Sequence, residues 1–245
     1  MTHRRLSVVA AAISLVLTLP AAGAGTARAQ GSLPAVIPIF PLPDATLFPN
    51  ATHAFHVFEP RYRSMIADAL KGDRIIGMTT LRPGYEADYE GRPPVFPVGC
   101  AGLITDYEEL PDGRINIVLG GLVKFRVQSE DDSRPYRLAR VTVIPEGMDE
   151  RTEAALRKMR QRLVDLLAAV GDRAAVGEPP PGMPDEQVVD TLSQYLPMNP
   201  LERQWLLEQD GPLARAGVLV DVLERMLPAT QVRVDAQAAS STAAR

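Results

Sequence analysis

Cysteine, histidine and lysine are scarce in this 245-residue chain, and each scarcity removes a class of chemistry. With Cys100 as its single cysteine, the chain cannot close an internal disulfide, so its stability must come from packing. Cys100 sits in the apolar run VFPVGCAGLIT, a setting that predicts a buried thiol and not a nucleophile. Three histidines are present, and His3 falls in the leader-like first thirty residues, which leaves His53 and His56 for acid–base or metal chemistry. Their spacing points them to opposite faces of a strand, against a shared metal ion. Lysine occurs at 71, 124 and 158, never followed by Ser or Thr, so the phosphate-cradling G-x-x-x-x-G-K-[ST] loop is missing. The G-x-S-x-G turn of serine hydrolases is missing too. The acidic pairs Glu108-Glu109 and Asp131-Asp132 stand in turn-like stretches and read as solvated loops. No catalytic residue, cofactor site or metal site is expected, although an unrecognised hydrolase stays open as a rival reading.

Long hydrophobic runs are also lacking. The longest, Leu6 to Leu19, is short for a membrane span; it follows Arg4 and Arg5 and precedes the small-residue stretch ending Ala27-Arg28-Ala29. This three-part pattern predicts a signal peptide over residues 1–29, an exported periplasmic or secreted product, and no stable membrane anchor after cleavage. Removing Arg4, Arg5 and Arg28 from the 26 basic residues leaves 23 against 30 acidic ones, a net charge of −7. That balance gives nucleic acid no support as a partner.

What is abundant is proline and glycine, 22 and 18 residues, and they punctuate the region 30–146 every ten residues or so. Between them lie DRIIGMTTL, VFPVGCAGLITDYEEL, RINIVL, LVKFRV and YRLARVTVI, which read as short strands of a curled sheet or small barrel. RINIVL alternates, with Ile115, Ile117 and Leu119 on one face, and Gly120-Gly121 is read as a break before LVKFRV. One helix interrupts the strands: Pro60 starts it, and Tyr62, Met65, Ile66, Ala69 and Leu70 recur at helical spacing.

Residues 147–228 change to helical periodicity. Leu156, Met159, Leu163, Leu166 and Val170 form one stripe, with Arg157, Lys158, Arg160 and Arg162 on a solvated face. The proline-rich GDRAAVGEPPPGMP breaks the pattern, and a helix with Val188, Val189, Leu192 and Leu196 inward follows. Asn199, Pro200 and Glu202 then give a helix start with a reciprocal cap. A last helix carries Leu213, Ala216, Val220, Leu223 and Leu227, before a small, polar tail over 229–245 that is expected to be disordered.

Three stretches, IPIFPLPDATLFPNATHAFHVFEPRYRSMIADAL, VGCAGLITDYEELPDGRINIVLGGLVKFRV and YLPMNPLERQWLLEQDGPLARAGVLVDVLERML, together resemble the substrate-binding amino-terminal domain of the ATP-dependent Lon proteases. They also resemble the stand-alone proteins built from that domain. The resemblance runs from about Val36 to Leu227. It implies an α+β fold, a PUA-like β pseudo-barrel with one inserted helix followed by a helical bundle, that docks unfolded or tagged polypeptide without the ATPase and Ser-Lys peptidase of the full protease. A subunit dedicated to one specific folded protein partner fits the same pattern, and the oligomeric state is left open.

Two candidate binding modes follow: an extended peptide added to a sheet edge, or apolar side chains held in the cleft between barrel and bundle. Candidate contacts are Phe58, Glu59, Arg61 and Tyr62 of the motif FEPRY, together with Tyr85, Tyr89 and Phe96 in the loop RPGYEADYEGRPPVF. The motif reads as an aromatic plug and Arg/Glu pair at a strand-to-helix corner, or as the edge of a groove; the loop reads as a solvated connection or as a binding wall.

Overall fold

The computed structural model describes residues 33–85, 88–89 and 91–227. The signal peptide expected over 1–29 and the tail expected over 229–245 lie outside the described residues. Among the described residues six strands are present: β1 (Val36–Leu42), β2 (Thr52–Val57), β3 (Ile75–Thr80), β4 (Val98–Glu109), β5 (Ile115–Asp131) and β6 (Arg137–Ile144). They form one sheet in the order β2-β5-β4-β3-β1-β6, and a further β5–β6 pairing closes five of them on themselves. β2 is left outside the ring, paired to the first half of β5.

β5 makes this closure possible. Gly120-Gly121 does not end a strand there; one strand of 17 residues runs through both glycines. Its first half pairs with β2 and its second with β6, while β4 runs along both. Gly121 is needed because the Phe48–Ala51 segment lies against it. A Cβ on Gly121 would stand 1.9 Å from the Phe48 carbonyl oxygen. The Gly121 amide donates to Ala51 O at 2.7 Å, and Gly121 O accepts from Asn50 N at 3.0 Å. Register shifts at Ala101/Gly102 and Val127/Ser129 supply the bends that a small closed sheet requires.

The barrel interior is filled by Ile37, Ile39, Ala101, Val123, Phe125, Ala139 and Val141. Phe125 occupies the space left by Gly77 and Gly99, either of which, given a Cβ, would meet its ring at 2.7 Å. On the outer side of the barrel a larger core begins, and it does not stop at the helices. Leu47, Phe48, Val98 and Cys100 belong to the same buried cluster as Leu196, Leu206, Ala216 and Leu219. Cys100 is fully buried, and burial pushes its thiol pKa up.

Helix α1 (Pro60–Lys71) starts at Pro60 as expected and buries Tyr62, Met65, Ile66 and Ala69. The carboxy-terminal helices are α2 (Glu150–Val170), α3 (Asp185–Tyr195), α4 (Pro200–Leu207) and α5 (Gly211–Met226). α2 buries Leu156, Leu163, Leu167 and Val170, while Met159 and Leu166 are only partly covered; its inward face is rotated slightly from the expected stripe. Arg160 leaves the solvated face to donate to Asp185 and to Met183 O, at 2.9 and 2.8 Å. The Asn199/Glu202 capping box forms as read.

Helices and barrel are joined by polar side chains as well as by the core. Gln194 on α3 accepts from Phe48 N at 3.1 Å and donates to Thr46 O at 2.9 Å. Gln204 on α4 donates to Val98 O at 3.0 Å. Fully buried Arg215 on α5 binds Glu146 through two bonds of 2.5 and 2.9 Å, and Asp190 at 2.7 Å. Lys124 of β5 adds a 2.7 Å bridge to Glu146, and Asn50 donates to Asp190 at 2.9 Å. Two cations and two anions thus balance at the seam. Burial raises the Asp190 pKa to about 6 against the pull of Arg215 and Asn50. Glu146 is raised by burial but held lower overall by Arg215 and Lys124.

Candidate functional site

The chain between β3 and β4 is long because it leaves the barrel and returns. Its limbs are stapled together: Leu81 bridges Val95, Arg82 N donates to Pro94 O at 2.9 Å, and Phe96 N donates to Thr80 O at 2.9 Å. Between this loop and the start of α4 lies a groove of about 580 Å³. Pro43, Pro83, Pro93 and Pro200 line it, and proline brings fixed backbone without a donor, so these walls present apolar surface of defined shape. Leu81, Leu201, Tyr85 and Tyr89 complete the apolar lining, while Arg82 and Asn199 supply polar groups at its edge. Leu201 and Tyr85, both in its lining, are each 48% exposed, which leaves large apolar surface open within one cleft. Trp205, one turn beyond Leu201 on α4, is 55% exposed and extends the apolar strip along that helix.

The structure separates the residues expected from the sequence into three groups. Tyr85 and Tyr89 line the groove. Glu59 and Arg61 stand behind it: Tyr89 donates its hydroxyl to Glu59 Oε1 at 2.9 Å, and Arg61 Nε donates to Glu59 Oε2 at 2.9 Å. Burial first, then Tyr62 and the bond to Glu59, hold the Tyr89 hydroxyl above its usual pKa, so it stays a donor. The third group lies outside the groove. Tyr62 is buried in the core against Phe40, with ring centroids 4.6 Å apart. Phe96 packs under Arg82 at 5.1 Å. Phe58 corrects the reading of an aromatic plug: it is 62% exposed, because it continues the outward-facing register of β2 while Val57 before it turns inward.

Leu201 and Pro200 were missed as groove residues. The four-residue spacing of Leu201 and Trp205 was the available signal, but which face of α4 the barrel would cover is decided by Gln204, Leu206 and Leu207 docking onto it. The two modes read from the sequence also separate. β2 is the outer strand of the sheet, yet it is only six residues long, and Tyr195 of α3 already donates to its Thr52 carbonyl at 2.5 Å. The cleft is therefore the better-formed of the two.

His53 and His56 diverge. His53 is half-buried beside Gln194, and burial, then Arg203, lowers its pKa; His56 pairs with Asn116 at 2.7 Å on the outer face. Among the described residues no three His, Cys, Asp or Glu side chains are grouped to hold a metal ion, and no helix is long and apolar enough to cross a membrane.

Comparison with known proteins gives this architecture relatives. The Lon protease of Trichlorobacter lovleyi is 27% identical over 209 residues, covering 79% of this chain and 24% of the relative. That of Anaeromyxobacter dehalogenans is 25% identical over 221 residues, with 83% and 26% covered. The chain spans about a quarter of the length of these relatives. Among solved structures, the N-terminal domain of Mycobacterium avium complex Lon protease superposes with a TM-score of 0.57 at 16% identity, covering 77% of this chain and 98% of that one. A Lon N-terminal domain protein from Xanthomonas campestris gives 0.51 at 22% identity, covering 79% and 99%. These two establish the shared α+β fold. The family model of the ATP-dependent protease La (LON) substrate-binding domain matches residues 36–225, and no peptidase or ATPase domain is found. A match over that much of the sequence places the chain in the LON substrate-binding domain family.

Proposed function

We propose that this protein is an exported docking module that holds segments of unfolded or tagged polypeptide in the groove between the Arg82–Pro97 loop and α4, without catalysis, as an adaptor or holdase. The observation that carries the proposal is the groove itself: a preformed, proline-walled apolar cleft at the junction of barrel and helices, in a chain of a substrate-binding family. Its apolar walls suit side chains of many sequences, and Arg82 and Asn199 at the edge suit the backbone of an extended chain. Arg4 and Arg5, the apolar run after them and the Ala27-Arg28-Ala29 site support export.

The test is to follow fluorescein-labelled β-casein, an unfolded polypeptide, by anisotropy and fragment size together, with no nucleotide present. Saturable binding with an intact label is expected, weakened about tenfold by Leu201→Glu, which places a charge in the apolar groove while leaving the core untouched. Cleavage that persists through repurification would replace this reading with an enzyme. Absence of casein binding, with one envelope protein co-purifying instead, would replace it with a dedicated subunit.

A further inference from the structure

The limbs of the groove loop are fixed by backbone pairing, and Arg137 adds a buried 2.7 Å bond to Pro93 O while its guanidinium grips Glu130 at 2.6 and 2.7 Å. Tyr89 is held differently, by a relay of side chains that starts in the core. Buried Tyr62 carries the Arg61 guanidinium over its ring at 4.6 Å. The same guanidinium faces the Tyr89 ring at 5.1 Å and donates to the Tyr89 carbonyl at 3.3 Å. Glu59 joins the two, accepting from Arg61 through one carboxylate oxygen and from Tyr89 through the other.

Glu59 occupies the N-cap position of α1, where a side chain would ordinarily accept from the helix's own first amides, yet it makes no such bond. Its carboxylate is committed to the loop instead. Glu59 and Arg61 do not line the groove; among the described residues, Tyr89 is the lining residue they hold.

We propose that Glu59 and Arg61 are positioning residues for polypeptide binding, fixing Tyr89 as a rigid wall of the groove before a chain arrives. This rests on the polypeptide-docking reading above and adds how its site is kept formed. A Tyr89 side chain left free to change rotamer would lose that freedom on meeting a bound chain; ordering it in advance removes that cost from the binding step.

The test uses the full chain with three readouts: amide hydrogen exchange in the loop, affinity for fluorescein-labelled β-casein, and the urea midpoint. Glu59→Ala and Tyr89→Phe are expected to speed exchange at Asp88 and Gly91, whose amides donate within the tip to Tyr85 O and Asp88 O. Casein affinity should fall about five- to tenfold with the urea midpoint unchanged. Glu59→Gln keeps an oxygen that accepts from Tyr89 and is expected to restore most of both effects. Exchange unchanged in the two disruptive variants, or a urea midpoint falling in step with affinity, would overturn the proposal, the second by reducing the relay to ordinary fold stability. Casein binding by the wild type that is indifferent to all three substitutions would overturn the positioning role alone. No casein binding by the wild type would overturn the docking reading and this inference with it.

Discussion

Arg215→Met tests the seam between barrel and helices directly. Arg215 is fully buried and makes three charge-assisted bonds, two to Glu146 and one to Asp190. Methionine refills much of the volume with a flexible apolar chain, so little of the loss should come from a cavity. What remains is electrostatic: Asp190, buried on α3, keeps only the neutral Asn50 amide, and Glu146 keeps Lys124. Removing one partner of a buried ion pair costs about 3–5 kcal/mol because the other charge stays buried. With a urea slope of about 2 kcal/mol per molar, the midpoint should drop by about 1.5–2.5 M. Urea titration followed by far-ultraviolet circular dichroism measures it. Adding Asp190→Asn removes the orphaned carboxylate and should restore about 1–3 kcal/mol, a coupling that a double-mutant cycle isolates. A midpoint shift below about 0.5 M for Arg215→Met, or strict additivity of the two substitutions, would refute the reasoning.

Two further outcomes follow from the seam and the sheet. Asp190 has a pKa raised to about 6 by burial, above its unfolded value of 3.8, so the folded state holds that proton more tightly. Its contribution to stability is complete below about pH 4 and is lost as the pH rises through about 6. The wild type minus Asp190→Asn difference in unfolding free energy should therefore fall between those limits, and a flat difference would count against it. Gly121→Ala forces a Cβ to 1.9 Å from a backbone carbonyl and is expected to cost about 3 kcal/mol or more. Gly147→Ala meets nothing within 4 Å and should stay within about 0.5 kcal/mol; thermal unfolding of the pair would expose an error if the two behaved alike.

Local chemistry was legible wherever the chain's own neighbours decide it. Pro60 starting α1, the Asn199/Glu202 cap, the turn at Asp112-Gly113 and the inward face of Ile115, Ile117 and Leu119 all depend on short-range sterics and periodicity. Gly120-Gly121 misled because a glycine pair reads as a break when nothing is known of what lies above it; here the Phe48–Ala51 segment lies on Gly121. Arg215 was passed over for a related reason. Five apolar residues defined the stripe of α5, and the sequence carries no mark that an arginine among them would meet two carboxylates from elsewhere in the chain.

By itself the sequence determined the change from a strand-rich to a helical region, several of the caps and turns within them, the lack of familiar catalytic motifs and the resemblance to a substrate-binding domain. Tertiary structure decided that β5 closes the sheet, that one core runs through barrel and helices, and that Tyr85, Tyr89 and Leu201 share a groove while Phe58 and Tyr62 do not. The physical reason is range. Caps and periodicity act over a few residues, whereas Leu201 joins Tyr85 in one groove only after β4, β5, β6, α2 and α3 have folded between them, and no local preference encodes which faces those elements will bury against one another.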